Sequence, residues 1–113
     1  MTEITTREEI IADIKQNLAT LTPDTVSKYS VMLSVHLASI GEQEAKADLA
    51  YHQEWERIRL AIDTDGGADK RAKATQEYYL KRLLEVQQKS TVQIIQALKK
   101  RLEVLRDESH GGY

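Results

Sequence analysis

Apolar residues recur along this chain at helical intervals almost from end to end. Ile10, Ile11, Ile14, Leu18 and Leu21 open the series, and their steps put them on one side of an amphipathic helix. Thr6-Arg7-Glu8-Glu9 precedes them and reads as a capping box, in which the Thr6 hydroxyl accepts from the Glu9 amide and Glu9 reaches back. Thr22-Pro23-Asp24 stops this helix and starts the next. Thr22 is a good N-cap, and Pro23 falls at the first helical position, where its missing N–H costs nothing.

From Val26 the pattern runs through Tyr29, Leu33, Leu37, Ile40, Glu44, Ala47, Tyr51, Trp55, Ile58 and Ile62. Steps alternating between three and four residues make this one face of a single long helix. Val31, Val35 and Ala38 add a second apolar flank in its first half, where the first helix is expected to pack. Gly41 interrupts the run, costing up to about 1 kcal/mol against Ala, and either kinks the helix or admits a close neighbour. A third periodic segment holds Ala72, Tyr79, Leu80, Leu83, Leu84, Val86, Ile94, Ile95, Leu98, Leu102 and Leu105 around a polar or small centre, "QQKST" at 87–91. The end, "ESHGGY", lacks periodicity and is expected to fray.

The pattern predicts an all-α protein: a short N-terminal helix followed by a long antiparallel helical hairpin, likewise expected to oligomerise. The expected elements are helices at about 6–21, 23–63 and 68–107, a turn at 64–67 and a frayed tail at 108–113, all in one domain. The turn rests on "AIDTDGGADK", where Gly66 and Gly67 would supply the positive φ values of a helix C-cap and Asp65 or Asp69 would cap the next helix. A calcium loop of the EF-hand kind is excluded. Counted from Asp63, its fifth, sixth and twelfth positions hold Gly67, Ala68 and Ala74 in place of an oxygen ligand, Gly and Glu. A phosphate loop would need Gly-Lys-Ser/Thr after a strand, which is missing. With the turn near residue 65 or 66, Glu44 faces Gln87 and Gln43 faces Gln88. The polar gap of one long helix then meets the polar centre of the other.

Composition adds to this picture. The 113 residues include six aromatic ones, five Tyr and one Trp, with no Cys and a single Pro. That profile suits a solvated helical protein rather than a sheet sandwich, and it excludes disulfides and thiolate metal sites. No apolar run approaches the length of a membrane span and no secretory signal opens the chain, so a cytoplasmic location is expected, the host cytoplasm if the chain is phage-encoded. Net charge is uneven: residues 1–63 hold 6 basic and 11 acidic residues, and residues 64–113 hold 10 basic and 7 acidic. The basic second half hints at an anionic partner or head-to-tail association.

Little catalytic chemistry is visible. Asp48, His52 and Glu56 share a helix face, but that spacing is the pattern of a solvated face with i,i+4 pairs, and His36, His52 and His110 form no metal-ligand pair. No nucleophile motif is present, so no enzyme, cofactor, metal or small-molecule substrate is expected. Arg57 and Arg59 precede the turn, and Lys70, Arg71 and Lys73 follow it, with Trp55, Tyr78 and Tyr79 near. Cations beside aromatics suit single-stranded nucleic acid, so Arg57, Arg59, Lys70, Arg71, Lys73 and Tyr78 form the candidate nucleic-acid site. Lys99-Lys100-Arg101 and Arg106 suit the dipole at the end of the last helix. Two apolar flanks run along that helix, Leu80/Leu84/Leu98/Leu102/Leu105 and Tyr79/Leu83/Val86/Ile94/Ala97. One can serve the hairpin and leave the other for a second copy of the chain, with Leu80, Leu84, Ile95, Leu98, Leu102 and Leu105 taken as the candidate interface.

The order "SKYSVMLSVHLASIGEQEAKADLAYHQEWERIRLAI", a Gly-containing turn, then "KATQEYYLKRLLEVQQKSTVQIIQALKKRLEVLRDES" resembles small helical proteins encoded among bacteriophage recombination genes. It is similar to the UvsY-type recombination mediators of T4-like phages over roughly residues 24–108, in length, helix order and the style of "IIQALKKRLEVLRDE". That resemblance implies an oligomeric ring that helps to load a recombinase onto single-stranded DNA, with partners among DNA and recombination proteins. The family's DNA contacts are basic residues of the long helix before the turn. This chain departs there, offering Lys46, Arg57 and Arg59 among Glu44, Asp48, Glu54 and Glu56. The other function class left open is a protein-binding module without nucleic-acid affinity, such as a phage inhibitor of a host factor or an assembly adaptor.

Overall fold

A computed structural model describes residue 4 and residues 6–110, and among these every regular element is helical. Helix α1 spans Arg7–Asn17, a 3-10 turn follows at Leu18–Thr20, and then come α2 (Pro23–Ala61), α3 (Asp65–Ala72) and α4 (Gln76–His110). The chain divides into two compact units. Of the described residues, the first holds those up to Ala38 and those from Ser90 to His110, and the second holds Ser39–Lys89.

In the first unit, α1 begins at Thr6, whose hydroxyl accepts from the Glu9 amide at 3.2 Å and donates to the Glu9 carboxylate at 2.6 Å. The box therefore closes side chain to side chain, rather than onto the Thr6 amide. The helix ends four residues before the expected Leu21, because Asn17 leaves helical geometry and its carbonyl accepts from the Thr20 hydroxyl at 3.0 Å. Thr22 caps α2 as expected, accepting from the Thr25 amide at 3.2 Å.

Ile10, Val26, Leu33 and Leu98 are fully buried, with Ile14, Leu21 and Tyr29 beside them. Burying such side chains contributes about 1.5–3 kcal/mol each. Ile10 and Ile14 thus pack against the Val26/Tyr29/Leu33 stripe, and the Val31/Val35 flank expected to receive α1 is exposed. A short helix with two buried residues covers one stripe, and the longer side chains of the main stripe win it.

The polar centre of α4 meets α1. Arg7 donates from Nε to Thr91 Oγ1 at 2.8 Å and from Nη2 to Ser90 Oγ at 2.7 Å. Thr91 is fully buried. A hydroxyl in that position is tolerable because it is hydrogen-bonded. Arg101, farther along α4, donates to the Ala19 carbonyl at 2.9 Å and so holds the end of the α1 segment.

In the second unit, Ile40, Ala47 and Leu84 form one cluster, and Ile58, Ala68 and Ala72 another. Asp48 lies 3.7 Å from Lys81, and the rings of Tyr51 and Tyr78 are 5.5 Å apart. Gln43 bonds along its own helix, its amide donating to Ser39 Oγ at 3.2 Å, and so does not need a cross-helix partner. Helix α2 passes through Gly41 without a break, and a Cβ built there meets nothing within 4 Å. No close neighbour explains that glycine.

The expected turn at 64–67 and helix at 68–107 are replaced by α3, a break at 73–75, and α4. Gly66 and Gly67 lie inside the first turn of α3, and neither has positive φ. The N-cap is Thr64, accepting from the Gly67 amide at 3.1 Å, rather than Asp65 or Asp69. Thr75 starts α4 in the same way, its hydroxyl accepting from the Tyr78 amide at 3.3 Å and donating to the Ala72 carbonyl at 2.6 Å. Of the expected frayed tail, residues 108–110 continue α4, and residues 111–113 lie outside the described residues.

Candidate functional site

The α2–α3–α4 connection gathers most of the residues singled out for nucleic acid. Helix α3 is seated on α2 by small residues: Ala68 and Ala72 are fully buried against Ile58, with Tyr51, Trp55 and Ile62 around them. Polar links fix it further. The Trp55 indole donates from Nε1 to Asp69 Oδ1 at 2.6 Å, and Arg59 donates to Asp65 Oδ1 and to the Ile62 carbonyl, both at 2.6 Å.

The five cations of the connection divide into two groups. Arg59 is engaged in those links. Arg57 donates from Nε to both Glu54 oxygens at 3.1 Å, and its Nη2 contacts the same carboxylate. Hydrogen bonding to Arg57 holds the Glu54 carboxyl below its usual range, and the same bond raises Arg57. Lys70, Arg71 and Lys73 are exposed at the C-terminal end of α3, where cations complement the helix dipole. Tyr78 is half-buried against Tyr51 and is not presented with them. Its neighbour Lys81 stands 5.5 Å from the Tyr51 ring centre and 3.0 Å from Glu85. That ammonium is raised chiefly by its bond to Glu85, which is lowered by the same bond.

Between Arg57 and Arg71 lies a cleft of about 210 Å³ floored by Ile58, Ala61 and Ile62. Asp48 faces Lys81 instead of forming a site with His52 and Glu56, and among the described residues no group of three or more His, Asp or Glu side chains is placed to hold a metal ion. No described helix is long and apolar enough to cross a membrane.

The apolar residues expected at an interface are split by the structure. Leu84 and Leu98 belong to the protein's own cores, and Ile95, Leu102 and Leu105 are half-buried against the core of the first unit. Only Leu80 of that set is exposed. The line that α4 buries is Leu84, Thr91 and Leu98, continued by the half-buried Leu105 at the same seven-residue spacing. Such spacing is the seam of packed helices. The exposed apolar row is the other flank: Tyr79 is 67% exposed, Val86 55% and Leu83 38%, with Leu80 alongside at 47%. In the first unit, Val31 and Val35 border a groove with Ser30, Ser34, Ala38, Ile95 and Lys99.

No protein-family model matches the chain, and no curated protein and no solved structure matches it.

Proposed function

We propose that this chain is a non-enzymatic accessory protein that works by protein–protein association, assembling with copies of itself and with recombination proteins through the outer flank of α4. The observation that carries this reading is the exposed row of Tyr79, Leu80, Leu83 and Val86. A contiguous exposed apolar patch marks an interaction surface more often than solvent-facing chance. The phage-recombination setting comes from the resemblance stated above, and the long antiparallel hairpin belongs to the same proposal. The pairs Asp48–Lys81 and Tyr51–Tyr78 run in that antiparallel sense within the second unit.

Sedimentation velocity over a concentration series tests the assembly. The proposal expects a concentration-dependent oligomer that dissociates when Leu83→Ser and Val86→Ser are combined, with the helical circular dichroism unchanged. A wild-type chain that stays monomeric throughout counts against it.

A second reading, contact with single-stranded DNA, is favoured by the exposure of Lys70, Arg71 and Lys73 on one end of α3. Titration of a labelled oligonucleotide at low and moderate salt tests it: binding that weakens steeply with salt supports DNA contact. Absence of binding at low salt, where surface electrostatics are strongest, removes that reading.

A further inference from the structure

The cleft between Arg57 and Arg71 has features that the outer flank of α4 lacks. Its floor is aliphatic, with Ile58 only 5% exposed, and its rim carries two guanidinium groups. Arg71 is exposed and has no carboxylate within ion-pair distance among the described residues. Arg57 already holds a carboxylate, that of Glu54, forked across both oxygens. Glu77 acts on Arg57 electrostatically from α4. The internal carboxylate shows which chemical group that guanidinium takes. Because the Arg57 side chain is 69% exposed, an incoming carboxylate can exchange with it.

A ligand that satisfies this cleft needs two parts. It needs an anionic group with the flat, two-oxygen geometry that a guanidinium binds in parallel. It also needs a small apolar group to cover Ile58, Ala61 and Ile62. A bare phosphate, which is tetrahedral, supplies the charge without the flat geometry and leaves the floor wet. An acidic residue next to an aliphatic one supplies both, and a volume of about 210 Å³ has room for one side chain rather than a folded surface.

We infer that the Arg57–Arg71 cleft binds an acidic, aliphatic peptide segment of a protein partner, with its carboxylate between the two guanidiniums and its aliphatic side chain on the Ile58 floor. Glu54 acts as the internal competitor that the segment displaces. The Arg59–Asp65 and Trp55–Asp69 links hold α3 in place, so the cleft is formed before the peptide arrives.

The test uses the full chain, labelled with nitrogen-15, and two capped tetrapeptides, Glu-Glu-Leu-Ile and Gln-Gln-Leu-Ile. The acidic peptide is expected to shift the amides of residues 57–72 saturably, and the neutral one to bind about tenfold more weakly. Arg71→Gln, an exposed change that leaves the helix intact, is expected to weaken the acidic peptide several-fold, and Glu54→Gln to strengthen it. An acidic peptide that shifts nothing overturns the inference. So does equal binding of the two peptides, or an Arg71→Gln chain that binds as the wild type does. A single-stranded oligonucleotide that moves these amides where the acidic peptide does not assigns the cleft to nucleic acid, and that outcome also overturns it.

Discussion

Arg7 donates from Nε to Thr91 Oγ1 at 2.8 Å, and through that bond the first residue of α1 meets the one polar side chain that is buried among the described residues. The guanidinium also reaches Ser90 at 2.7 Å. Hydrogen bonds with a charged partner contribute about 1.5–3 kcal/mol, and more is lost when one side is removed than when both are. Arg7→Met is therefore expected to lower unfolding stability by about that amount in urea. Thr91→Val, which keeps the shape and leaves Arg7 its bond to Ser90, should cost less. A larger loss for Thr91→Val would place the weight on the hydroxyl's other contacts.

Leu98 and Leu83 lie on the same helix and predict opposite behaviours. Leu98 is fully buried in the first unit, so Leu98→Ala should cost about 2–5 kcal/mol through lost burial and the cavity left behind. Leu83 is 38% exposed, so Leu83→Ala should cost well under 1 kcal/mol while weakening self-association. Thermal melts beside sedimentation velocity separate the two effects. A Leu98→Ala chain that is fully stable and merely less associated would restore Leu98 to an interface.

Two glycines predict opposite signs. Gly41 is helical and a Cβ there meets nothing within 4 Å, so Gly41→Ala should raise stability by about 0.5–1 kcal/mol. At Gly67 a Cβ would stand 2.8 Å from Thr64 Oγ1 and 3.0 Å from Ile62 Cγ2. Gly67→Ala should therefore disturb the cap of α3 and lower stability, with increased hydrogen exchange confined to residues 62–72. Equal effects at the two positions would show that the cap geometry does not matter.

What the sequence made legible was periodicity. Helical spacing located α2 to within two residues at its end, and Thr22-Pro23 located its start. It also placed Arg57 and Arg71 at one connection, where both line one cleft. Helical spacing alone could not say which flank faces inward, because Leu80/Leu84/Leu98 and Tyr79/Leu83/Val86 are equally apolar. The bonds from Arg7 to Ser90 and Thr91, which tie that part of α4 to α1, left no trace in the apolar pattern. Nor could composition show that Gly66-Gly67 begins a helix. A threonine cap and two buried alanines, Ala68 and Ala72, outweigh the intrinsic preference of the glycines. The pairing of Arg57 with Glu54 and of Arg59 with Asp65 was likewise hidden, since the same residues read simply as positive charge.

The last prediction concerns pH and the Tyr29–Asp13 pair, which joins α2 to α1. The Tyr29 hydroxyl donates to the Asp13 carboxylate, and the Asn17 side-chain amide donates to its other oxygen at 2.7 Å. Burial, then the bond to Asp13 and its charge, push the Tyr29 phenol up to about 12 from 10.0. Bonds from Tyr29 first and Asn17 second hold the Asp13 carboxyl below 3.8. For Tyr29 the folded value lies above the unfolded one, so its contribution is fully present below pH 10 and is lost as pH rises toward 12. For Asp13 the folded value lies below the unfolded one, so its contribution is present above pH 3.8 and is lost as pH falls through the lowered value. Tyr29→Phe removes the alkaline limb and weakens the acid one, where the Asn17 bond to Asp13 remains. Its denaturation midpoints should fall below those of the wild type near neutrality, and the gap should narrow at both pH extremes. A gap that stays constant from acid to alkali would mean that Tyr29 contributes packing alone, and that the bond to Asp13 does not tie α1 down.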